Sequence, residues 1–215
     1  MPFIPNMSAN LDFTEENRRM VDFYEGFMKV LGISGSPRKD GNTEILLLET
    51  LRAVEQMDCT AWIFPMSEKT VAPCRACGGC FKTGVCVIED DKHELSSLMS
   101  RADAIIWATP VYFGNVTAQL KAVMDRTFAE RQKSSLKGKV AGVLTVTRRV
   151  GAAQAKTLIN SFCIAHGMIV AGGAIGYGRE PGDVLTGTGG GINMTAIEEA
   201  RLLGENVVLL SRRLK

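Results

Sequence analysis

No stretch of this sequence is apolar over the roughly 20 residues that a bilayer-spanning helix needs, and the opening MPFIPNMSANLDFTEENRRM lacks a basic start followed by an apolar run. No membrane anchor or secretory leader is therefore expected, and the chain reads as soluble and cytoplasmic. A dominant charge is missing too: 25 Lys and Arg against 23 Asp and Glu leave a formal net charge of +2, with both signs interspersed. That balance argues against the basic stripe of a nucleic-acid binder and leaves small ligands and proteins as partners. Only two histidines occur. His93 opens an acidic helix and His166 sits near a helix C-terminus, where a cation is favoured. Neither has a nucleophile or metal ligand beside it in sequence, so neither is expected to be catalytic. What the chain does have is 215 residues, 46% of them apolar, enough for one domain that buries its core without disulfides. In a reducing compartment its clustered cysteines are then metal ligands or redox groups rather than staples.

From Lys29 onward, short β-branched runs alternate with longer amphipathic segments, the pattern of βαβ units. Residues 30–34 (VLGIS), 61–64 (AWIF), 104–109 (AIIWAT), 140–146 (VAGVLTV) and 168–171 read as five strands. Residues 43–55, 92–100, 117–128, 153–166 and 195–214 read as helices, and Gly167 suits the stop of the fourth. The expected fold is an α/β, flavodoxin-like, doubly wound five-stranded parallel sheet with helices on both faces. Ligands then belong at the carboxyl ends of strands one, three and four. Residues 1–28 form an N-terminal extension, with a helix expected near residues 14–27. Residues 29–215 form the domain, with a cysteine-rich segment inserted at 71–91. The Gly-rich stretch 172–193 (GGAIGYGREPGDVLTGTGGGIN) is expected to be a long loop, of a length that is often functional.

After the first strand comes GISGSPRKDGNTE. Small residues at Ser34, Gly35 and Ser36 admit an anion to backbone N–H groups, Arg38 adds a fixed charge, and Thr43 opens a helix whose N-terminus favours phosphate. The loop lacks both the Gly-Lys-Ser/Thr of a Walker A sequence and a GxGxxG dinucleotide turn. A mononucleotide is the better fit. The second loop, TPVYFGNVTAQLKAVMDR, follows the third strand and can run its backbone along a flat heterocycle. Together the two loops favour a flavin. The third loop, TRRVGAAQ, places Arg148 and Arg149 where they either face the ring edge or are simply solvated.

Four of the six cysteines fall within PCRACGGCFKTGVCVIEDD: Cys74, Cys77, Cys80 and Cys86, spaced C-x2-C-x2-C-x5-C. Zinc knuckles separate two short-spaced pairs by a dozen or more residues, which this span does not allow. A four-iron cubane is larger and lets a single loop wrap it, as the C-x2-C-x2-C runs of ferredoxins do. Ala76, Gly78 and Gly79 allow a tight curl, and Val71, Pro73, Val85, Val87 and Ile88 supply apolar cover. The spacing favours an iron-sulfur cluster, with zinc and free or disulfide-forming thiols as the alternatives. Cys59 and Cys163 read as small buried hydrophobes, and Asp125 and Arg126 as surface or helix-packing residues.

From about Lys29 to the C-terminus the chain resembles the iron-sulfur flavoprotein family, a branch of the flavodoxin-like FMN reductases. The resemblance is carried by GISGSPRKDGNTE, APCRACGGCFKTGVCVIEDD and ATPVYFGNVTAQLKAVMDR. It implies FMN, with phosphate contacts at Ser34, Ser36, Arg38, Asn42 and Thr43 and ring contacts at Pro110, Val111, Tyr112, Phe113, Gly114 and Asn115. It also implies a 4Fe-4S cluster on Cys74, Cys77, Cys80 and Cys86, and a homodimer or homotetramer. Family members carry a Gly-rich third loop where this chain has Arg148, Arg149 and Val150. The expected activity is electron transfer without a catalytic side chain, from a ferredoxin-like donor through the cluster and FMN to a small acceptor such as oxygen, peroxide or a quinone. The alternatives are an NAD(P)H-dependent FMN or quinone reductase with a structural cysteine loop, and a non-enzymatic redox sensor.

Overall fold

The computed structural model describes residues 27–191 and 193–215, so the helix expected near 14–27 falls almost wholly outside the described residues. Five strands, β1 (Lys29–Ser34), β2 (Thr60–Pro65), β3 (Ala104–Pro110), β4 (Val140–Thr147) and β5 (Ile169–Tyr177), pair in parallel in the order β2-β1-β3-β4-β5. This is the flavodoxin-like order, with its switch point between β1 and β3. Among the described residues no helix is long and apolar enough to cross a membrane.

Helices cover both faces because successive strand residues point to opposite sides. Ala104, Ile106 and Ala108 of β3 face α1 (Asn42–Glu55) and α7 (Ala196–Arg213), while Ile105 and Trp107 face the other layer. That layer comprises α3 (Lys92–Arg101), α4 (Ala118–Asp125) and α6 (Ala152–Ala165). Two short helices, α2 (Gly79–Thr83) and α5 (Phe128–Gln132), lie outside the main layers and meet through Phe81 and Phe128, whose ring centroids are 5.1 Å apart.

The structure corrects three boundaries. The Gly-rich stretch is not loop from residue 172: β5 continues to Tyr177, paired with Thr147 of β4. Its glycines are there for close approach, since a Cβ on Gly176 would lie 2.3 Å from Leu46 of α1 and one on Gly173 2.7 Å from the Val143 carbonyl. The helix expected over 117–128 ends at Asp125 and a new one starts at Phe128, with Thr127 Oγ1 donating to the Met124 carbonyl at 2.7 Å in between. The cysteine segment also contains α2, which its thiol spacing concealed.

α1 and α7 are held together at two points. Glu49 of α1 is buried and accepts from Arg201 Nη2 at 2.7 Å and Nε at 3.1 Å. One turn on, Gly204 lets the helices touch: a Cβ there would stand 2.4 Å from the Thr50 carbonyl oxygen. Alanine is the better helix former by about 1 kcal/mol, yet the clash is with backbone that no rotamer change relieves, and overpacking costs about 1–3 kcal/mol. Gly204→Ala is therefore expected to lower the urea midpoint despite its propensity gain; a midpoint equal to or above wild type would show that the contact is looser than described.

Candidate functional site

The carboxyl ends of β1, β3 and β4 carry the three loops. Gly35, just past β1, donates its N–H to the Ala108 carbonyl of β3 at 2.7 Å. A Cβ on Gly35 would meet Leu120 Cβ at 2.7 Å, so only glycine fits between β3 and α4. Thr117 caps α4 by accepting from the Leu120 N–H at 3.2 Å and donates its hydroxyl to the Gly35 carbonyl at 2.6 Å. The phosphate loop and the ring loop are thus joined by one side chain that the sequence motifs did not single out.

The expected phosphate residues divide. Ser34 Oγ is buried without a hydrogen-bond partner among the described residues, as a hydroxyl that serves a ligand would be. Ser36 Oγ turns the loop by donating to the Arg38 carbonyl and accepting from the Arg38 N–H, both at 3.1 Å. Thr43 is buried in the first turn of α1, whose N-cap, Gly41, has no side chain to satisfy the leading N–H groups. Arg38 is exposed. Asn42 is already engaged: its Nδ2 donates to the Glu180 carbonyl and its Oδ1 accepts from the Gly182 N–H, both at 2.7 Å. The segment after β5 therefore lies against the start of α1.

In the ring loop, Tyr112 and Asn115 exchange backbone hydrogen bonds at 3.0 Å around Phe113 and Gly114, whose φ angles are 52° and 75°. This is the geometry of a two-residue type I′ turn. Pro110 ends β3, and Val111 donates its N–H to the Val146 carbonyl of β4 at 2.8 Å. Tyr112 is exposed and Phe113 fully so, while Asn115 Oδ1 accepts from the Val116 N–H. The third loop packs on the second, since a Cβ on Gly151 would touch Gly114 and Val111, each at 2.9 Å. Arg148 and Arg149 point into solvent.

Cys74, Cys77, Cys80 and Cys86 line one cavity of about 390 Å³, together with Ala76, Phe81, Ile88, Arg126 and Phe128. None is in a disulfide. The chain curls as expected, with left-handed φ at Ala76 (51°) and Gly78 (69°). Val87 and Ile88 contribute to the lining, whereas Val71 packs into the core instead. Among the described residues no three His, Cys, Asp or Glu side chains form a site for a single metal ion. Cys59 and Cys163 are buried elsewhere, and burial pushes the Cys163 thiol up to about 12.

Arg126, read from sequence as surface or helix packing, is buried in the wall of that cavity and pairs with Asp90. Behind it, the buried Lys92 ammonium reaches Glu130 Oε1 and Ser96 Oγ, each at 2.7 Å. Burial alone would raise the Asp90 carboxyl, but the Arg126 guanidinium and the Ala72 and Lys92 N–H groups hold it lowered. Burial likewise opposes ionisation of Glu130, and the Lys92 ammonium outweighs it. Burial lowers the His166 pKa, and its Nε2 meets Thr127 Oγ1 at 2.9 Å.

The NADPH-dependent FMN reductase family model matches residues 28–180. An iron-sulfur flavoprotein of Methanocaldococcus jannaschii is 38% identical, over 87% of this chain and all of its own. The chain belongs to the iron-sulfur flavoproteins of the NADPH-dependent FMN reductase family. An iron-sulfur flavoprotein of Methanosarcina thermophila is 43% identical over 67% of this chain and 78% of its own. The fold matches a solved WrbA-like flavodoxin from Agrobacterium tumefaciens with a TM-score of 0.61, at 16% identity over 88% of this chain and 99% of that one. This flavoprotein is an FMN-dependent oxidoreductase.

Two depressed carboxyls behind the cysteine cavity, Asp90 within the segment and Glu130 beyond α4, predict acid sensitivity. Both are depressed, so the stability each contributes is complete above the ordinary carboxylate range and is lost as pH falls below about 4. Urea unfolding should therefore show stability dropping steeply below about pH 4. In the double variant Asp90→Asn, Glu130→Gln, which strands two buried cations, stability should be lower and the drop flatter. An equally steep drop in the variant would place the acid-labile groups elsewhere.

Proposed function

We propose that this flavoprotein converts between single electrons and electron pairs. A ferredoxin-like donor delivers single electrons at the four-cysteine cavity, where Cys74, Cys77, Cys80 and Cys86 hold a 4Fe-4S cluster, and FMN at the three loops passes them to oxygen, peroxide or a quinone. When bound, the cluster handles electrons singly and FMN singly or in pairs, so no side chain need act as nucleophile or general base. One observation carries the reading: four unpaired thiols share a cavity of about 390 Å³, far more room than one ion needs. The chain's own contribution is to bind and orient. The four thiols supply ligands, and Val87 and Ile88 supply apolar lining. Ser34, Ser36, Thr43 and the leading N–H groups of α1 receive the phosphate beside Arg38, while Asn42 fixes the 180–182 segment against that site. Residues 110–115 present the backbone to the ring.

Assembly into a homodimer or homotetramer belongs to the same reading. Arg126 and Phe128 at the cavity follow the far end of α4, whose first turn abuts the ring loop, so eight helical residues, about 12 Å, separate the sites along one chain. Phe81, Val85, Val87 and Phe128 near the cysteines, and Tyr112, Phe113 and Val150 near the ring loops, are exposed and apolar, as surfaces that meet a partner are. A monomeric variant should lose rate from cluster to FMN; an undiminished rate would sink this part of the reading.

The name of the matched family favours a second reading, direct reduction of FMN by NADPH with the cysteine loop as scaffold. Anaerobically purified protein separates the two. Flavin bands over a broad iron-sulfur shoulder, with about four irons and four sulfides per chain, support the relay. Flavin alone or with one zinc, bleached rapidly by NADPH, supports the scaffold reading.

The phosphate assignment has its own test. Ser34→Ala removes a hydroxyl that has no partner among the described residues, so the apoprotein should be no less stable, while FMN affinity measured by flavin fluorescence falls about 10- to 100-fold, the worth of one hydrogen bond to a charged group. Unchanged affinity would move the phosphate away from Ser34.

A further inference from the structure

Arg126 is the least expected residue of the cysteine cavity. It follows α4, yet its side chain is fully buried. Its Nη1 donates to the Ala72 carbonyl at 3.1 Å and to the Asp90 carboxylate, and its Nη2 donates to the Ile88 carbonyl at 3.0 Å. Ala72 lies two residues before the first cysteine of the motif and Ile88 two residues after the last. One planar guanidinium therefore ties both ends of the loop that carries all four thiols, a bridge for which a lysine ammonium has neither the span nor the fork geometry.

The remaining donor is the informative one. Arg126 Nε is buried and has no hydrogen-bond partner among the described residues. A buried N–H on a charged group is costly when left unsatisfied, and Arg126 lines the cavity together with Cys74, Cys77, Cys80 and Cys86. Burial alone would lower its pKa, but Asp90 and the Cys86 sulfur keep it raised. Arg75 and Asp125 also line the cavity, but both are exposed, so water and salt screen them. The other buried cation close by, Lys92, is taken by Glu130 and Ser96 and does not line the cavity. Asp90 does not line it either, so the cation of the Arg126–Asp90 pair faces the thiols and the anion stands behind it.

We propose that Arg126 is the positioning and charge-compensating residue of the four-cysteine site, and that its fixed cation favours the reduced state of the cluster held there. The inference rests on the cluster reading given above and adds what sets the potential. An iron-sulfur group ligated by four thiolates gains one negative charge when it takes one electron from a one-electron donor. No bond forms or breaks, and no proton is required, because the guanidinium is cationic throughout. A neighbouring buried cation stabilises the more negative state, with little screening at that depth.

The test uses anaerobically purified holoprotein and its Arg126→Gln, Arg126→Lys and Asp90→Asn variants, with iron content measured and dithionite-poised titrations followed by electron paramagnetic resonance. At a fixed poise the ratio of reduced to oxidised cluster should fall about tenfold or more in Arg126→Gln. Arg126→Lys, which keeps the charge without the double carbonyl bridge, should recover most of that ratio while holding iron less firmly. Asp90→Asn, which leaves the guanidinium uncompensated, should raise the ratio. An Arg126→Gln protein that loads iron and titrates like wild type overturns the inference and leaves the cluster reading intact. If Arg126→Gln loads no iron, Asp90→Asn decides: a raised ratio supports the inference and an unchanged one overturns it. Wild-type protein purified without iron and sulfide would remove the cluster reading and this inference together.

Discussion

The carboxyl edge of the sheet is organised by one short clasp, the Thr117 hydroxyl donating to the Gly35 carbonyl while the Gly35 N–H is held by Ala108. Both polar groups of one peptide-rich turn are thereby satisfied inside the protein, and the loop after β1 cannot drift from the helix that follows β3. The clasp works only because residue 35 has no side chain, with Leu120 where a Cβ would go. The packing of Gly151 on Gly114 repeats the device between the second and third loops. Three segments far apart in sequence thus come together, and Ser34 Oγ at the end of β1 is a buried hydroxyl without a partner among the described residues.

The cysteine segment obeys a different rule. It contains little that is buried, and what fixes it is charge: Arg126 beside the thiols with Asp90 behind it, and the Lys92–Glu130 pair farther back. Buried pairs of this kind are weak contributors to net stability, because desolvation offsets most of the attraction, but removing one partner is costly. Such a network fixes the shape of a loop that little packing holds.

Much of this was legible in the sequence. The continuous apolar runs at 104–109 and 140–146 gave the central strands, because a parallel strand covered on both faces shows no alternation, and the four-cysteine spacing located the cavity. The fifth strand reads as ending at residue 171 because Gly172, Gly173 and Gly176 look like loop residues; all three are strand residues, and Gly173 and Gly176 fit the closeness of the β4 backbone and of α1. Arg126 reads as a surface or helix-packing residue because a basic residue in an amphipathic helix is ordinarily solvated. Its partners, Ala72, Ile88 and Asp90, lie more than thirty positions away, and no local pattern announces them. The resemblance implies a phosphate contact at Asn42, and its side-chain amide bonds Glu180 and Gly182, partners about 140 positions away that no local pattern shows.

α4 has Thr117 at its head, against the phosphate loop, and Arg126 just beyond its tail, in the wall of the cysteine cavity. Its sequence, AQLKAVMD, has neither proline nor glycine, the usual sources of a bend. Two turns of unbroken helix form a strut rather than a hinge. The loops at the carboxyl edge of the sheet and the cysteine cavity thus stand at opposite ends of one rigid element, and a shift of that element along its axis moves both ends together.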